Sequence, residues 1–193
     1  MAFTLALGAK APEFRLPGVD GREHSLGEFA DSSLLVVMFT CNHCPFVTGS
    51  EGRMKALCQA TARRGVAWVG INSNETTHHP EDSFEHMKDR ARSEHLPWVY
   101  LRDESQDVAR AYGALRTPHF YVFDRERCLR YTGRLDDNPR DAAKAATHEL
   151  ADALDDLLAG RPVGVPQTNP IGCNVKWIGK DAHWMPPEAC DLV

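Results

Sequence analysis

The fold is decided by the stretch Leu34-Leu35-Val36-Val37-Met38-Phe39-Thr40-Cys41-Asn42-His43-Cys44-Pro45. Its first six residues are all apolar, and an apolar run without polar alternation predicts a strand that is covered on both faces. The run leads directly into two cysteines in the spacing C-x-x-C. From Pro45 to about Arg64, apolar residues recur at three- and four-residue steps, which is typical of an amphipathic helix. The stretch therefore predicts a buried strand that delivers two thiols to the N-terminus of a helix.

The segments around this stretch predict an α/β protein. Gly65 ends the helix, and Val66 to Asn72 form a second apolar run, so the order strand, helix, strand predicts a parallel βαβ unit. Asp20-Gly21 predicts an N-terminal hairpin, and Pro80 predicts the start of another helix. Further strands are predicted at 96–101, 119–124 and 128–133, and further helices at 105–112 and 141–159. We expect a central mixed sheet flanked by helices.

The last part of the chain shows no period. Residues 161–193 contain five prolines and two tryptophans. We predict one domain over residues 1–160, and a C-terminal extension over residues 161–193 that packs on it. Trp177 and Trp184 either anchor this extension by burial or form an apolar wall for a partner.

The composition excludes several classes of protein. A length of 193 residues suits a single domain, and a net charge of -5 argues against nucleic acid as the main partner. No apolar run approaches the roughly 20 residues that a membrane helix needs. The N-terminal residues lack the basic and apolar regions of a secretory signal, so we expect a cytoplasmic protein with no membrane partner, as a monomer or homodimer.

Two thiols at a helix N-terminus suit redox chemistry. A thiol reacts as thiolate, its unperturbed pKa is near 8.5, and the unpaired N–H groups of a helix N-terminus stabilise an anion. In C-x-x-C one sulfur attacks a disulfide and the other closes a new one. His43 adds a positive charge between the two sulfurs.

The alternative is half of a zinc site. Structural zinc takes four ligands, and the remaining cysteines, at positions 58, 128, 173 and 190, form no second spaced pair. His78 and His79 offer two ligands in a polar loop, but no third ligand is spaced nearby, which favours solvated side chains. We therefore prefer the redox interpretation and expect neither a metal nor a cofactor.

Several motifs resemble those of a known family. They include Cys41-Asn42-His43-Cys44-Pro45, Gly70-Ile71-Asn72-Ser73-Asn74, Thr117-Pro118 and Gly172-Cys173-Asn174-Val175-Lys176-Trp177. Together, over about residues 7 to 180, they resemble the peroxiredoxin-like proteins of the thioredoxin-like superfamily, in the redoxin (AhpC/TSA) branch. The resemblance implies a thioredoxin-like fold.

The resemblance also implies roles for single residues. Pro118 is expected to be a cis-proline that faces the cysteines, and the backbone of Thr117 to pair with a bound peptide or thiol partner. The reactive cysteine of peroxiredoxins matches Cys44. Their threonine and proline, three and seven residues earlier, are replaced here by Cys41 and Val37. Most of the set that activates a peroxide is therefore missing.

We expect a thiol-disulfide oxidoreductase that acts through the Cys41/Cys44 pair, with protein or small-molecule disulfides and a thiol reductant as partners. Helix geometry favours Cys41 as an exposed nucleophile, whereas the peroxiredoxin match favours Cys44; for exchange we prefer Cys41. One alternative is a peroxiredoxin-like thiol peroxidase that uses Cys44 and peroxides. Another is a metal-binding or redox-regulated binding protein. Cys173 is either a resolving thiol or a buried cysteine without a role.

Overall fold

A computed structural model of the chain describes residues 4–181 and 183–186. The strands are β1 (Arg15–Pro17), β2 (Glu23–Ser25), β3 (Leu34–Phe39), β4 (Val66–Asn72), β5 (Val99–Arg102), β6 (Arg116–Thr117), β7 (His119–Phe123), β8 (Leu129–Gly133) and β9 (Cys173–Asn174). The helices are α1 (Pro45–Ala62), α2 (Phe84–Ser93), α3 (Asp107–Tyr112) and α4 (Glu149–Leu158). Single 3-10 turns occur at Leu26–Phe29, Pro80–Asp82 and Ala142–Lys144.

Five strands form the central sheet, in the order β5-β4-β3-β7-β8. The strands β3, β4 and β5 run parallel, whereas β7 and β8 are antiparallel to their neighbours. β3 lies in the middle, and every one of its residues is at most 4% exposed. The sheet is therefore mixed and its central strand is covered on both faces, as predicted. Between β1 and β2 the hairpin turn contains Gly21, whose φ of +84° suits glycine.

Alternate residues of β3 belong to two separate cores. Leu34, Val36 and Met38 pack with buried residues of α1, α2 and α4. Leu35, Val37 and Phe39 pack on the other face, against α3, the N-terminal hairpin and the C-terminal extension. This alternation follows from the two-residue period of a strand, and it fixes the carboxyl end of β3 between the two layers.

Helix α1 begins where the sequence predicts. Cys44 is its N-cap residue and Pro45 stands in the first turn. Val47, Met54 and Cys58 form part of the buried face, and Gly65 follows the last turn with a φ of +83°. The register of the two cysteines relative to the helix is therefore set by the cap and the proline that follows it.

Two of the predicted helices are partly wrong. The predicted helix over 141–159 is helical only from Glu149, because the Asp137 carboxylate accepts the amide N–H groups of Ala146 at 2.8 Å and Thr147 at 3.3 Å. A helix would need those amides for its own ladder. Near Pro80 a single 3-10 turn forms instead, and α2 starts after Ser83, whose hydroxyl accepts the amide of His86.

The C-terminal extension contacts the sheet and the α3 layer. Thr168 donates its amide to the Thr132 carbonyl at 3.0 Å. Val175 and Trp177 are 2% and 5% exposed, and the rings of Trp177 and Trp184 meet edge to face at 6.3 Å. These tryptophans anchor the extension by burial; the division at residue 160 stays a prediction. Among the described residues, no helix has the length and apolar character needed to cross a membrane.

Candidate active site

The two cysteines of C-x-x-C lie at the junction of β3 and α1, opposite Pro118. Phe39 pairs with His119 across β3 and β7, which brings the residues before β7 next to the end of β3. The Thr117-Pro118 peptide bond is cis, as the family resemblance implied. The Cys41 sulfur lies 3.4 Å from the Thr117 hydroxyl oxygen, and the Cys44 sulfur lies 3.1 Å from the Thr117 carbonyl oxygen. The predicted thiols and the predicted proline therefore form one site.

Cys173 completes a cluster of three sulfurs. β9 pairs antiparallel with β6, and this register sets Cys173 directly opposite Thr117. The sulfurs of Cys44 and Cys173 are 2.8 Å apart, while both thiols are free. The candidate resolving thiol is thus in contact with Cys44. Elsewhere, Cys58 lies in the core and burial raises its pKa to about 12; Cys190 lies outside the described residues.

The pair is covered from solvent. Cys41 is 1% exposed and Cys44 is 0% exposed, whereas Cys173 is half-buried. The expectation that Cys41 is exposed is therefore wrong, and burial does not distinguish the two cysteines as nucleophiles. Thr117 and the 3-10 turn that contains Asp82 shield Cys41 from solvent. Both are distant from Cys41 in sequence, so reasoning from helix geometry alone could not predict this burial.

Electrostatics assign the thiolate to Cys44. Contacts with the thiols of Cys173 and Cys41 hold the pKa of Cys44 well below its ordinary value, although burial opposes them. The N-terminus of α1 acts in the same direction. The Thr117 carbonyl oxygen, 3.1 Å from the same sulfur, favours the protonated thiol. The backbone amides of Cys173 and Val47 also lower the pKa of Cys44, and with the thiol contacts and the helix N-terminus they outweigh one carbonyl oxygen.

The other two thiols remain protonated. Burial raises the pKa of Cys41, and the hydrogen bond to Cys44 and the nearby Asp82 charge raise it further. The pKa of Cys173 is raised mainly by its hydrogen bond to Cys44. The order of the three pKa values therefore favours a single thiolate, at Cys44, with protonated thiols at Cys41 and Cys173.

The surroundings of His43 favour its protonated, positively charged form. Its Nδ1 lies 2.8 Å from the Asp82 carboxylate, an ion-pair contact without hydrogen-bond geometry, and this contact is the main reason that the pKa of His43 is raised. Attraction to Glu81 and Cys44 acts in the same direction. The predicted charge between the two cysteines is thus supported by the surroundings of the ring.

Asp82 is the residue of the site that sequence reasoning missed. It is fully buried; burial alone would raise its pKa, but the ion pair with His43 and the hydrogen bonds from Asn74 and the Asn42 amide outweigh this and lower it. The amide of Asn42 donates to Asp82 at 2.7 Å, which ties the C-x-x-C loop to the 3-10 turn. The only signal in the sequence was an acidic residue after a proline, which also marks any ordinary helix start.

Two groups of potential metal ligands surround His43 within the described part of the chain. They are Cys41-His43-Asp82 and His43-His79-Glu81, with ligand atoms within 4.8 Å of one another. His79 thus has neighbours in space that its spacing in the sequence did not reveal. However, the rings of His43 and His79 are stacked 5.2 Å apart at an interplanar angle of 2°. Nitrogen lone pairs lie in the ring planes, so two parallel rings do not direct them at one ion.

A family model and several known proteins are similar to this chain in sequence. The Redoxin family model matches residues 6–150. Chloroplastic peroxiredoxin Q of Oryza sativa subsp. japonica is 25% identical over 131 residues, which are 64% of this chain and 57% of that relative. The chain therefore spans less than two thirds of the length of that protein.

Solved structures extend the likeness over most of the chain. An uncharacterized conserved protein from Geobacillus kaustophilus is 41% identical with a TM-score of 0.87, over 93% of this chain and 96% of its own. A thiol:disulfide interchange protein of the thioredoxin family from Chlorobium tepidum is 20% identical with a TM-score of 0.60, over 80% of this chain and 99% of its own. This second likeness shows a shared fold, and it confirms the expected thioredoxin-like architecture.

Proposed function

This chain belongs to the Redoxin family, and we propose that within it the chain catalyses thiol-disulfide exchange through Cys41 and Cys44. One observation carries the proposal: two sulfurs at the β3–α1 junction face Thr117-Pro118, and the one at the helix N-terminus has a lowered pKa. Contrary to the expectation from the sequence, Cys44 is the attacking thiolate and Cys41 the thiol that closes the disulfide.

The exchange proceeds in two balanced steps. The Cys44 thiolate attacks one sulfur of a disulfide RSSR, which forms a mixed disulfide and releases RS⁻. The Cys44 charge, which had helped to raise the pKa of Cys41, is then gone. Cys41 gives its proton to the released thiolate and attacks the Cys44 sulfur, so that a Cys41–Cys44 disulfide forms and the second RS⁻ leaves. A thiol reductant restores both thiols.

The test is turnover of a low-mass disulfide, bis(2-hydroxyethyl) disulfide, with dithiothreitol as reductant. Cys44→Ser is expected to abolish turnover, since no attacking thiolate remains. Cys41→Ser is expected to slow it, because the first attack persists while closure at Cys41 is lost. Cys128→Ser is the control, since Cys128 lies far from the three sulfurs and next to Asp124. Equal turnover by wild type and Cys44→Ser would contradict the proposal.

A thiol peroxidase is the second candidate, and the contact between Cys44 and Cys173 favours it. The Cys44 thiolate would attack a hydroperoxide to give a sulfenic acid and an alcohol, and Cys173 would then form a disulfide with release of water. Fast consumption of hydrogen peroxide that survives Cys41→Ser but not Cys173→Ser would replace the first proposal with this one. If consumption is slow in wild type, the exchange proposal is retained.

A further inference from the structure

The C-terminal strand β9 shows how a polypeptide presents a sulfur to Cys44. Its backbone lies along β6, with Cys173 opposite Thr117, and from there the Cys173 sulfur reaches to within 2.8 Å of the Cys44 sulfur. Any extended chain that approaches Cys44 along this edge would place its backbone where β9 already lies. The edge next to the thiols is thus occupied by the protein's own chain.

We propose that β9 restricts the site to low-molecular-mass disulfides and makes Cys173 the first thiol to meet the resulting mixed disulfide. This inference rests on the proposed exchange function. A low-mass disulfide has no flanking backbone and needs no strand edge, and it can pass the half-buried Cys173. An extended polypeptide disulfide needs β9 to leave.

The extension is fastened on both sides of β9, which opposes its departure. Before β9, the Thr132 amide donates to the Pro166 carbonyl at 3.1 Å, and the Thr168 amide donates to the Thr132 carbonyl at 3.0 Å. After it, the Val175 amide donates to the Leu115 carbonyl at 3.1 Å. The Lys176 carbonyl accepts from the Gln106 amide group at 2.8 Å, and the Trp177 side chain is buried. A partner that displaced β9 would have to break these contacts.

β9 and the residue before it also make close contacts with Arg116 and Thr117. The Arg116 guanidinium donates to the Gly172 carbonyl at 3.2 Å and to the Asn174 side chain. A Cβ atom added at Gly172 would lie 2.2 Å from the Thr117 carbonyl oxygen and 2.6 Å from its carbon. Both are backbone atoms beside Pro118 and have no rotamer to change. Glycine at 172 is therefore required for β9 to pair closely with β6. Alanine there would push β9 away from Thr117.

On this inference Cys173 closes the first disulfide, and Cys41, which the proposed function gave that step directly, acts after it. After Cys44 attacks RSSR, the Cys173 thiol passes its proton to the released RS⁻ and attacks the Cys44 sulfur. A Cys44–Cys173 disulfide forms and the second RS⁻ leaves. Cys41 can transfer this disulfide to the Cys41–Cys44 pair, which returns Cys173 to the thiol form.

The test compares two disulfides in the full-length reduced protein: insulin, as a polypeptide disulfide, and bis(2-hydroxyethyl) disulfide. Wild type is expected to reduce insulin much more slowly. Gly172→Ala is expected to raise the ratio of insulin rate to small-disulfide rate roughly tenfold, the change that 1.4 kcal/mol of weaker seating gives. Gly164→Ala is the matched control in the same extension, because a Cβ there meets its nearest neighbour at 3.8 Å and the ratio should not change.

Several results would overturn the inference. Equal rates with both disulfides in wild type, or an unchanged ratio in a folded Gly172→Ala protein, would show that β9 does not select the substrate. If Gly172→Ala does not fold, Arg116→Ala replaces it, with the same expectation of a raised ratio. A wild type that reduces neither disulfide would contradict the proposed exchange function and this inference with it.

A mass measurement tests the role of Cys173 independently. In Cys41→Ser, one equivalent of bis(2-hydroxyethyl) disulfide is expected to leave a Cys44–Cys173 disulfide in the peptide map. In Gly172→Ala/Cys41→Ser, a hydroxyethyl adduct on Cys44 should accumulate instead. A persistent adduct in Cys41→Ser alone would mean that Cys173 does not reach the mixed disulfide.

Discussion

The charge on Cys44 depends on a hydrogen bond from the C-terminal extension, and this dependence can be measured. Cys173, 2.8 Å away, is the largest influence that lowers the pKa of Cys44. Cys173→Ala removes the donor and leaves a small apolar side chain. Cys173→Ser keeps a donor in nearly the same place. The two variants therefore separate loss of the hydrogen bond from loss of the sulfur.

The size of the effect follows from the strength of such a bond. A hydrogen bond to a charged group contributes about 1.5–3 kcal/mol. One pKa unit corresponds to about 1.36 kcal/mol, so Cys173→Ala is expected to raise the pKa of Cys44 by about 1–2 units. In Cys173→Ser a hydroxyl still donates, and the rise should be less than about one unit. The N-terminus of α1 and the Cys41 thiol keep the pKa below its ordinary value in both variants.

The assay is the ultraviolet absorbance of the thiolate as a function of pH in the fully reduced protein. The same titration of a variant that also carries Cys44→Ser is subtracted, so that only Cys44 contributes. Circular dichroism at each pH confines the fit to folded protein. Cys128→Ala is the control, because that thiol is outside the cluster, and it should leave the Cys44 titration unchanged.

Two results would refute the reasoning. If Cys173→Ala and wild type titrate alike, the Cys173 thiol does not stabilise the thiolate. If Cys44 of wild type titrates near 8.5, the ordinary value for a thiol, the Thr117 carbonyl outweighs the other contacts and the sulfur is protonated at neutral pH. In either case the assignment of Cys44 as the attacking thiolate would lose its electrostatic basis.

Two further predictions concern the same site. Asp82→Asn removes the buried partner of His43, which is expected to cost about 3 kcal/mol and to lower the melting temperature by about 6–12 °C. Asp82 has a lowered and His43 a raised pKa, so the loss should be largest between about pH 4 and 6.5 and shrink above the raised His43 pKa; a pH-independent difference would contradict the ion pair. The Cys41–Cys44 disulfide should have a reduction potential above the roughly -270 mV of thioredoxin, because the pKa of Cys44 is lowered below the value of about 7 found in thioredoxin and the reduced state is stabilised accordingly. Equilibration with glutathione measures it, and a value at or below that of thioredoxin would exclude a stabilised thiolate.

The centre of the fold was predictable because its signals are local. An apolar run, C-x-x-C, a proline in the first helical turn and Gly65 lie next to one another in the sequence, and each has a structural reason of its own. The first half of the helix over 141–159 was wrong although four of its eight residues are alanines, which favour a helix. The Asp137 side chain then decided for the loop.

The cover of the site could not be predicted, because it depends on contacts between distant segments. β6 and β9 are two residues long, and a pairing of that length has no periodic signal. Gly172 gave no local hint, because its need for close approach to Thr117 appears only in three dimensions. For the same reason, the sequence could name Cys41, Cys44 and Cys173 but could not order them by charge.

The hydrogen bond between Cys173 and Cys44 stabilises both of its partners. If the Cys173 thiol favours ionisation of Cys44 by about 1.5–3 kcal/mol, then ionisation of Cys44 stabilises β9 on β6 by the same amount, because coupling between two equilibria is reciprocal. Attack on a disulfide consumes the Cys44 charge and therefore weakens the contact that covers this sulfur. The strand is thus held most firmly before the first attack, and it gains freedom when Cys41 and Cys173 must approach the mixed disulfide. A cover that depends on the charge of the nucleophile in this way excludes bulky disulfides without blocking the closing step.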